Sequence, residues 1–393
     1  MNLSEVVVYP NPGLESPYTH YIFGLFLSTS FVGLAEVIFS PLKGLRSGIM
    51  KTSLPLLPTS VVGSHAKMGW WYLMRREAEA GKLGSRDIEE TMDTATDIAI
   101  LDQERAEVDV ITDGEMRRFG SFFRTYLRRI AGINTLPPER SLGDQGYDTR
   151  EVYEVTEKIS APQGLGIVQE FKYLKEHTTK PVKVTCTGPT TFASGVTIKS
   201  GYEDQRELAW DFVGIINREL KALVAAGADF IQVDEPAFSE IAKDGKEMAR
   251  IFNATVDGVK AKIGMHICFG NHRGRPLVKR SYRRLFPGVL DARADQFVLE
   301  FANRELAEIE LWKEIGADRE LGAGLIDQKS FYMETPEDVA ERIRIALKQV
   351  PAEKLWINPD CGFNPTPRWI ALGKLRSMVE GTKIVRRELG YKD

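Results

Sequence analysis

From residue 55 onward the chain alternates short apolar runs with longer stretches in which apolar residues recur at helical spacing. The runs are "TSVVGS" (59–64), "VDVITDG" (108–114), "VKVTCTG" (182–188), "FIQVDEP" (230–236), "KIGMHICFG" (262–270), "DQFVLEF" (295–301), "LGAGLID" (321–327) and "LWINPDC" (355–361). Segments such as "RDIEETMDTATDIAILDQERAE" and "TPEDVAERIRIALKQVPAEK" lie between them, with Thr or Ser available as caps. Strand followed by helix, repeated eight times, predicts a (β/α)8 barrel of the TIM type. A doubly wound open sheet competes, but no GxGxxG follows the first run.

The N-terminus breaks the pattern. "YIFGLFLSTSFVGLAEVIFSPL" (Tyr21 to Leu42) approaches the roughly 20 residues of a membrane span. It is interrupted by Ser28, Thr29, Ser30 and Glu36, and no Lys or Arg precedes it as in a signal peptide. Met50 opens "MKTSLPLLPTSVVGS", which reads as the start of a soluble enzyme. The expected organisation is an extension over 1–49 outside the fold and a barrel over 50–393, with a membrane anchor as the lesser reading of the extension.

The barrel gives meaning to the polar residues that end the runs. Ser64, Glu115, Asp234 with Glu235, His266 with Cys268, Glu300, Asp327 and Cys361 all fall where strands of this fold deliver their chemistry. In "MHICFGNHRGRP", His266 and Cys268 stand two apart, on the same side of an extended strand. Together with Glu300 and Cys361 they make a four-ligand set acceptable to zinc, two thiolates included. Cys186, mid-strand in "VTCTG", reads as packing.

Composition narrows the class. A net charge of −3 argues against a nucleic-acid surface. The basic run "RGRPLVKRSYRR" reads as a solvated loop and helix face, or else as a patch for an anionic substrate. Three scattered cysteines give no disulfide framework, so a reducing, cytoplasmic setting is expected.

From Leu57 to the C-terminus, "VVGS", "TDGEM", "TGPTT", "QVDEPA", "HIC", "FVLEF" and "NPDCGF", in that order, resemble the catalytic half of cobalamin-independent methionine synthase, in its single-barrel form. The resemblance implies that His266, Cys268, Glu300 and Cys361 bind zinc. It places Val62, Gly63, Ser64, Glu115 and Asp234 at positions that hold the amino-acid part of homocysteine, and Glu240 at a folate-side carboxylate. Lys329 stands where the family has a proton-donating His, so Lys329 and Asp234 are the candidate catalytic residues. Gly195 stands where the family has a folate-stacking Trp, and an Arg–Cys pair that contacts folate is missing from "TEKISAP".

The expected activity is methyl transfer to a thiol, homocysteine becoming methionine. The partners would be the small-molecule thiol and a methyl donor, methyl-tetrahydrofolate or a methylcorrinoid protein, with no nucleic acid and no membrane. The alternative is an enzyme like epoxyalkane:coenzyme M transferase, whose sulfonate-bearing thiol would engage Arg273, Arg275 and Lys329. A zinc-stabilised binding protein without turnover is the third reading.

Overall fold

The strands of the main sheet are buried along nearly their whole length, because a parallel barrel covers one face with its own interior and the other with helices. In chain order the strands are β1 (Ala131–Ser141), β2 (Asp148–Ser160), β3 (Val184–Thr187), β4 (Thr197–Ile198), β5 (Phe230–Asp234), β6 (Lys262–Ile267), β7 (Gln296–Glu300), β8 (Glu320–Ile326) and β9 (Leu355–Pro359). The structure, a computed structural model, describes residues 54–119, 122–141, 148–237, 244–270, 276, 279–315, 319–364 and 366–391. The expected extension over 1–49, with its apolar stretch, lies outside the described residues.

Six strands form one parallel sheet in the order β3-β5-β6-β7-β8-β9. Isolated parallel bridges join its two edges. Thr59 pairs with Ile357 of β9, Ser60 with Val110, and Ile111 with Val182 just ahead of β3. Backbone bonds at 2.9–3.1 Å run through this junction: Ser60 N to Ile357 O, Val110 N to Thr59 O, Ile111 N to Pro181 O and Lys183 N to Ile111 O. The segments at 59–60 and 110–111 therefore act as the first two barrel strands, and the ring closes at eight.

Helices Ser85–Arg105, Ile167–His177, Gln205–Ala225, Gly245–Thr255, Pro336–Leu347 and Arg368–Glu388 follow barrel strands, as the apolar periodicity predicts. Their starts are chemically marked. Asp204 accepts from the amides of Arg206 and Glu207, and Thr335 with Asp338 forms a capping box behind Pro336. Among the described residues, no helix is long and apolar enough to cross a membrane.

Two features depart from the sequence pattern. The strands stop short of the predicted runs: the fourth ends at Asp234, the fifth at Ile267 and the eighth at Pro359. The polar tails of those runs leave the sheet as loops at the C-terminal mouth. The other departure is a hairpin, β1 paired antiparallel with β2, with the short β4 added parallel to β2. It occupies the connection between the second barrel strand and helix Ile167–His177. Pro137 and Pro138 in β1 and its mostly polar alternation concealed it.

Candidate functional site

Three side chains of a kind that can ligate metal converge at the barrel mouth. The ligand atoms of His266, Cys268 and Cys361 lie within 4.8 Å of one another. β6 supplies the first directly, since its alternation sends residues 264, 266 and 268 inward. The third arrives two residues beyond the end of β9.

The details suit a tetrahedral thiophilic cation. The two sulfurs are 3.7 Å apart, which matches the separation of about 3.8 Å that two zinc–sulfur bonds of about 2.3 Å give at the tetrahedral angle. Nδ1 of His266 lies 3.0 Å from the Val298 carbonyl, an acceptor, so Nδ1 carries the proton and Nε2 keeps its lone pair. Nε2 is buried and makes no hydrogen bond of ordinary geometry among the described residues. A buried nitrogen facing the sulfurs, with its other ring nitrogen already tied to a carbonyl, fits zinc well.

The electrostatics favour thiolate at this point. Cys361 is held well below the ordinary thiol range by the hydrogen bond from Cys268, despite burial, and by His266 and Lys329. Cys268 moves up, because it is the donor to Cys361 and is buried. Burial alone would lower His266, but the sulfur of Cys361 and the charge of Asp234 raise it.

Glu300 ends β7 at the same mouth but does not join the cluster. Its Oε2 lies 2.6 Å from Lys329 Nζ, in a pair that is 0% and 3% exposed at the side chains. Its Oε1 accepts from Asn303 Nδ2 at 2.6 Å.

The residues expected to hold the amino acid form a second group. Parallel register sets Asp234 directly beside His266. Asp234 is pushed up to about 7, by burial first and by the charge of Glu115. Glu115 accepts from Thr185 Oγ1 at 2.9 Å and sits 2.9 Å from Arg118, whose Nε reaches Glu170 at 3.1 Å. Gly63 permits this packing: a Cβ there would meet Glu115 Oε1 at 2.5 Å. The carbonyl of Ser64 accepts from Phe363 N at 2.7 Å, which ties the first strand to the loop that carries Cys361. Val62 offers its carbonyl to Gln232 Nε2 at 2.7 Å.

With this geometry in view, the comparisons are informative. Residues 57–384 match the family described as cobalamin-independent synthase, catalytic domain. The chain belongs to the cobalamin-independent methionine synthase superfamily. It is 39% identical over 344 residues to a methionine synthase of Saccharolobus solfataricus, covering 87% of this chain and 98% of that one. A methionine synthase of Sulfurisphaera tokodaii is 37% identical over 340 residues, 86% of this chain and 95% of the relative. The solved B12-independent methionine synthase from Shewanella sp. W3-18-1, in complex with selenomethionine, superposes with a TM-score of 0.73 at 29% identity, covering 85% of this chain and 99% of that one.

Against that family the chain's own departures stand out. At Gly195, the expected place of a stacking Trp, a Cβ would lie 2.3 Å from Cε2 of Phe123. The Phe123 ring occupies that space and packs edge-on to Phe192. Burial works to lower Lys329, yet the charges of Glu300, Cys361 and Cys268 hold it up to about 12, the opposite of what a proton donor near neutrality needs. Glu240, Arg273 and Arg275 lie outside the described residues.

Sequence reading missed the supports beneath these groups. Gln232 joins Val62 to Asp234, and Lys183 fixes Gln232. Tyr282 receives the Glu300 amide at 2.7 Å and lies 3.1 Å from the Ile267 carbonyl, fastening β6 to β7 beside Cys268. For Gln232 a signal existed: it stands two residues before Asp234 on one strand face.

Proposed function

We propose that this chain is a zinc-dependent methyltransferase that methylates the thiol of homocysteine to give methionine. The observation that carries the reading is the cluster of His266, Cys268 and Cys361, with their ligand atoms within 4.8 Å and the sulfurs 3.7 Å apart. A bound zinc would hold the substrate sulfur as thiolate at neutral pH, where only a few per cent of a free thiol ionises. Two thiolate donors keep such a centre electron-rich, which suits the holding of a nucleophile more than Lewis acidity.

The protein's own groups supply orientation. Glu115 and Asp234 bind the ammonium of the amino acid, and Ser64 with its backbone neighbours binds its carboxylate. Val62 and Gly63 shape that pocket, and Glu240 belongs to the donor side. The barrel enzyme runs from 50 to 393, with 1–49 as an extension outside it, and it works in the cytoplasm.

The methyl donor is a methyl-folate or a methylcorrinoid. The Lys329–Glu300 pair and the filled space at Gly195 weigh toward the corrinoid, whose cobalt–carbon bond needs no proton donor at an amine. Transfer of an alkyl group to coenzyme M, the alternative, is disfavoured by relatives named methionine synthase. The test incubates zinc-loaded protein with homocysteine or coenzyme M and, in turn, methyl-tetrahydrofolate, methylcobalamin and an epoxide. Methionine from one of the two methyl donors is expected. A thioether of coenzyme M alone would overturn the proposal.

A further inference from the structure

His65 follows Ser64 in the chain, and nothing in the proposed chemistry uses its ring. The ring is buried, and its Nε2 lies 3.0 Å from Oδ2 of Asp102, a fully buried carboxylate in the last turn of helix Ser85–Arg105. Arg368, the first residue of helix Arg368–Glu388, closes on the same carboxylate with both arms. Its Nε donates to Oδ2 at 2.6 Å and a terminal nitrogen donates to Oδ1 at 2.7 Å. Burial works to raise Asp102, yet the bonds from His65 and Arg368 hold it down to about 2. It is therefore an acceptor at neutral pH, and Nε2 of His65 carries the proton between them. A buried carboxylate paired on both oxygens holds its partners in one geometry.

This group reaches three loops at the barrel mouth. The amide of His65 donates to Gly114 O at 3.0 Å, so the turn that presents Glu115 hangs on the same residue. Gly114 has a φ of +67°, and a Cβ on it would lie 2.9 Å from His65 Cβ and 2.7 Å from Ala99 Cβ. Only glycine lets the turn sit this closely on His65 and on the helix that carries Asp102. On the other side, Ser64 O accepts from Phe363 N at 2.7 Å, and Arg368 opens the helix that follows that loop. Ser64 and Glu115 are thus held from one residue, and Asp102 sets where that residue stands.

We propose, resting on the amino-acid thiol chemistry above, that His65, Asp102 and Arg368 are positioning residues that fix the separation of Ser64 and Glu115 and so select thiols bearing both an α-ammonium and an α-carboxylate. An α-amino acid carries these two groups on one carbon. A site that grips the ammonium gains from the carboxylate only if the second contact already stands at the right distance from the first. A thiol without the carboxylate draws nothing from the position of Ser64. Cutting the link from His65 to Asp102 should therefore penalise one kind of thiol and spare the other.

Calorimetry on zinc-loaded wild type and variants compares homocysteine with aminopropanethiol, the same thiol without its carboxylate. His65→Leu keeps the Asp102–Arg368 pair, and with it the tie between the two helices, but removes the bond that orients the Ser64 turn. It is expected to weaken homocysteine about tenfold and to leave aminopropanethiol unchanged. His65→Gln, whose amide can still donate to Asp102, should recover most of the loss. If His65→Leu fails to fold, Arg368→Met carries the same expectation, since it frees Asp102 to draw the ring out of place. A brace with no part in selection would weaken both thiols alike or neither, and either result overturns the proposal. If the wild type binds neither thiol, the thiol reading fails. Hydrogen exchange at the Phe363 amide then decides on its own whether His65 sets the Ser64 turn: the bond to Ser64 should open about tenfold more often in His65→Leu, and equal exchange in the two proteins overturns the relay.

Discussion

Replacing Gln232 with leucine should break the interior of the barrel where it supports the substrate residues. Gln232 is fully buried and is oriented by Lys183, whose Nζ donates to Oε1 at 2.7 Å. That bond turns Nε2 toward Val62 O and Asp234 Oδ1, each at 2.7 Å. Gln232→Leu removes all three contacts and strands a buried ammonium and a buried carboxylate. With about 1 kcal/mol for the neutral bond and about 1.5–3 for each bond to a charged group, the loss is about 4–7 kcal/mol. In a Lys183→Met background the ammonium is already gone, so the same change should cost about 1.5–3 kcal/mol less. Lys183 also makes the network pH-dependent. Burial lowers its pKa from 10.5 to about 7, countered in part by Asp234. Between those values the unfolded chain binds the extra proton, so stability rises with pH from about 7 toward 10.5 and is lost as pH falls back through 7. The contribution of Lys183 to the rise is bounded at about 5 kcal/mol. Urea unfolding of the wild type, both single variants and the double variant at pH 7 and pH 10 measures all of this. The double variant should show the coupling, and Lys183→Met should reduce the rise by the Lys183 share, leaving that of Lys67, which burial also lowers, to about 8. A coupling below about 0.5 kcal/mol, or an identical pH rise with and without Lys183, would refute the reasoning.

Two further expectations concern the metal and the chain start. The wild type should carry about one zinc per chain, and Cys268→Ser and Cys361→Ser should each lose it, because a serine hydroxyl stays protonated at neutral pH; elemental analysis showing full retention in both would remove the site. A chain beginning at Met50 should fold and turn over like the full chain, since every candidate ligand lies beyond it; circular dichroism and the methionine assay check this, and an inactive product would make residues 1–49 part of the enzyme.

The barrel was legible because its strands are buried on both faces and read as unbroken apolar runs, and because the intervening helices keep their period and caps. The first two strands were legible as runs even though each pairs through only one or two residues. The hairpin was not, since most of its residues are polar and a few buried ones, Tyr153 and Val155 among them, do not make an apolar run. In the site, His266, Cys268 and Cys361 could be gathered from strand-end logic alone. The partner of Glu300 could not. Whether a carboxylate at a strand end turns to a metal or to a lysine 29 residues downstream depends on side-chain geometry that spacing does not encode. Lys183 left a trace, a charged residue opening an apolar run, but its role needed the amide of Gln232 to be seen.

The distribution of charge at the mouth also bears on which thiol belongs there. A sulfonate-bearing thiol calls for a cation with capacity to spare, and an amino-acid thiol calls for carboxylates. Arg118 faces Glu115 at 2.9 Å and Glu170 at 3.1 Å, the latter also receiving Tyr126 Oη at 2.7 Å. Lys67 donates to the Glu115 carbonyl at 2.8 Å, and burial lowers it to about 8 against the pull of Glu115 and Asp113. Lys329 is committed to Glu300. Each of these cations already has an acidic or carbonyl partner. Asp234, by contrast, meets an amide donor from Gln232 and the imidazole of His266 as a neighbour, and burial has raised it to about 7. A carboxyl destabilised as an anion in this way gains most from an arriving ammonium, which would restore its charge at the cost of little rearrangement. Under the proposed function, a cation arriving beside the cluster of His266, Cys268 and Cys361 would complete the site, and an α-amino group on a short thiol would supply one.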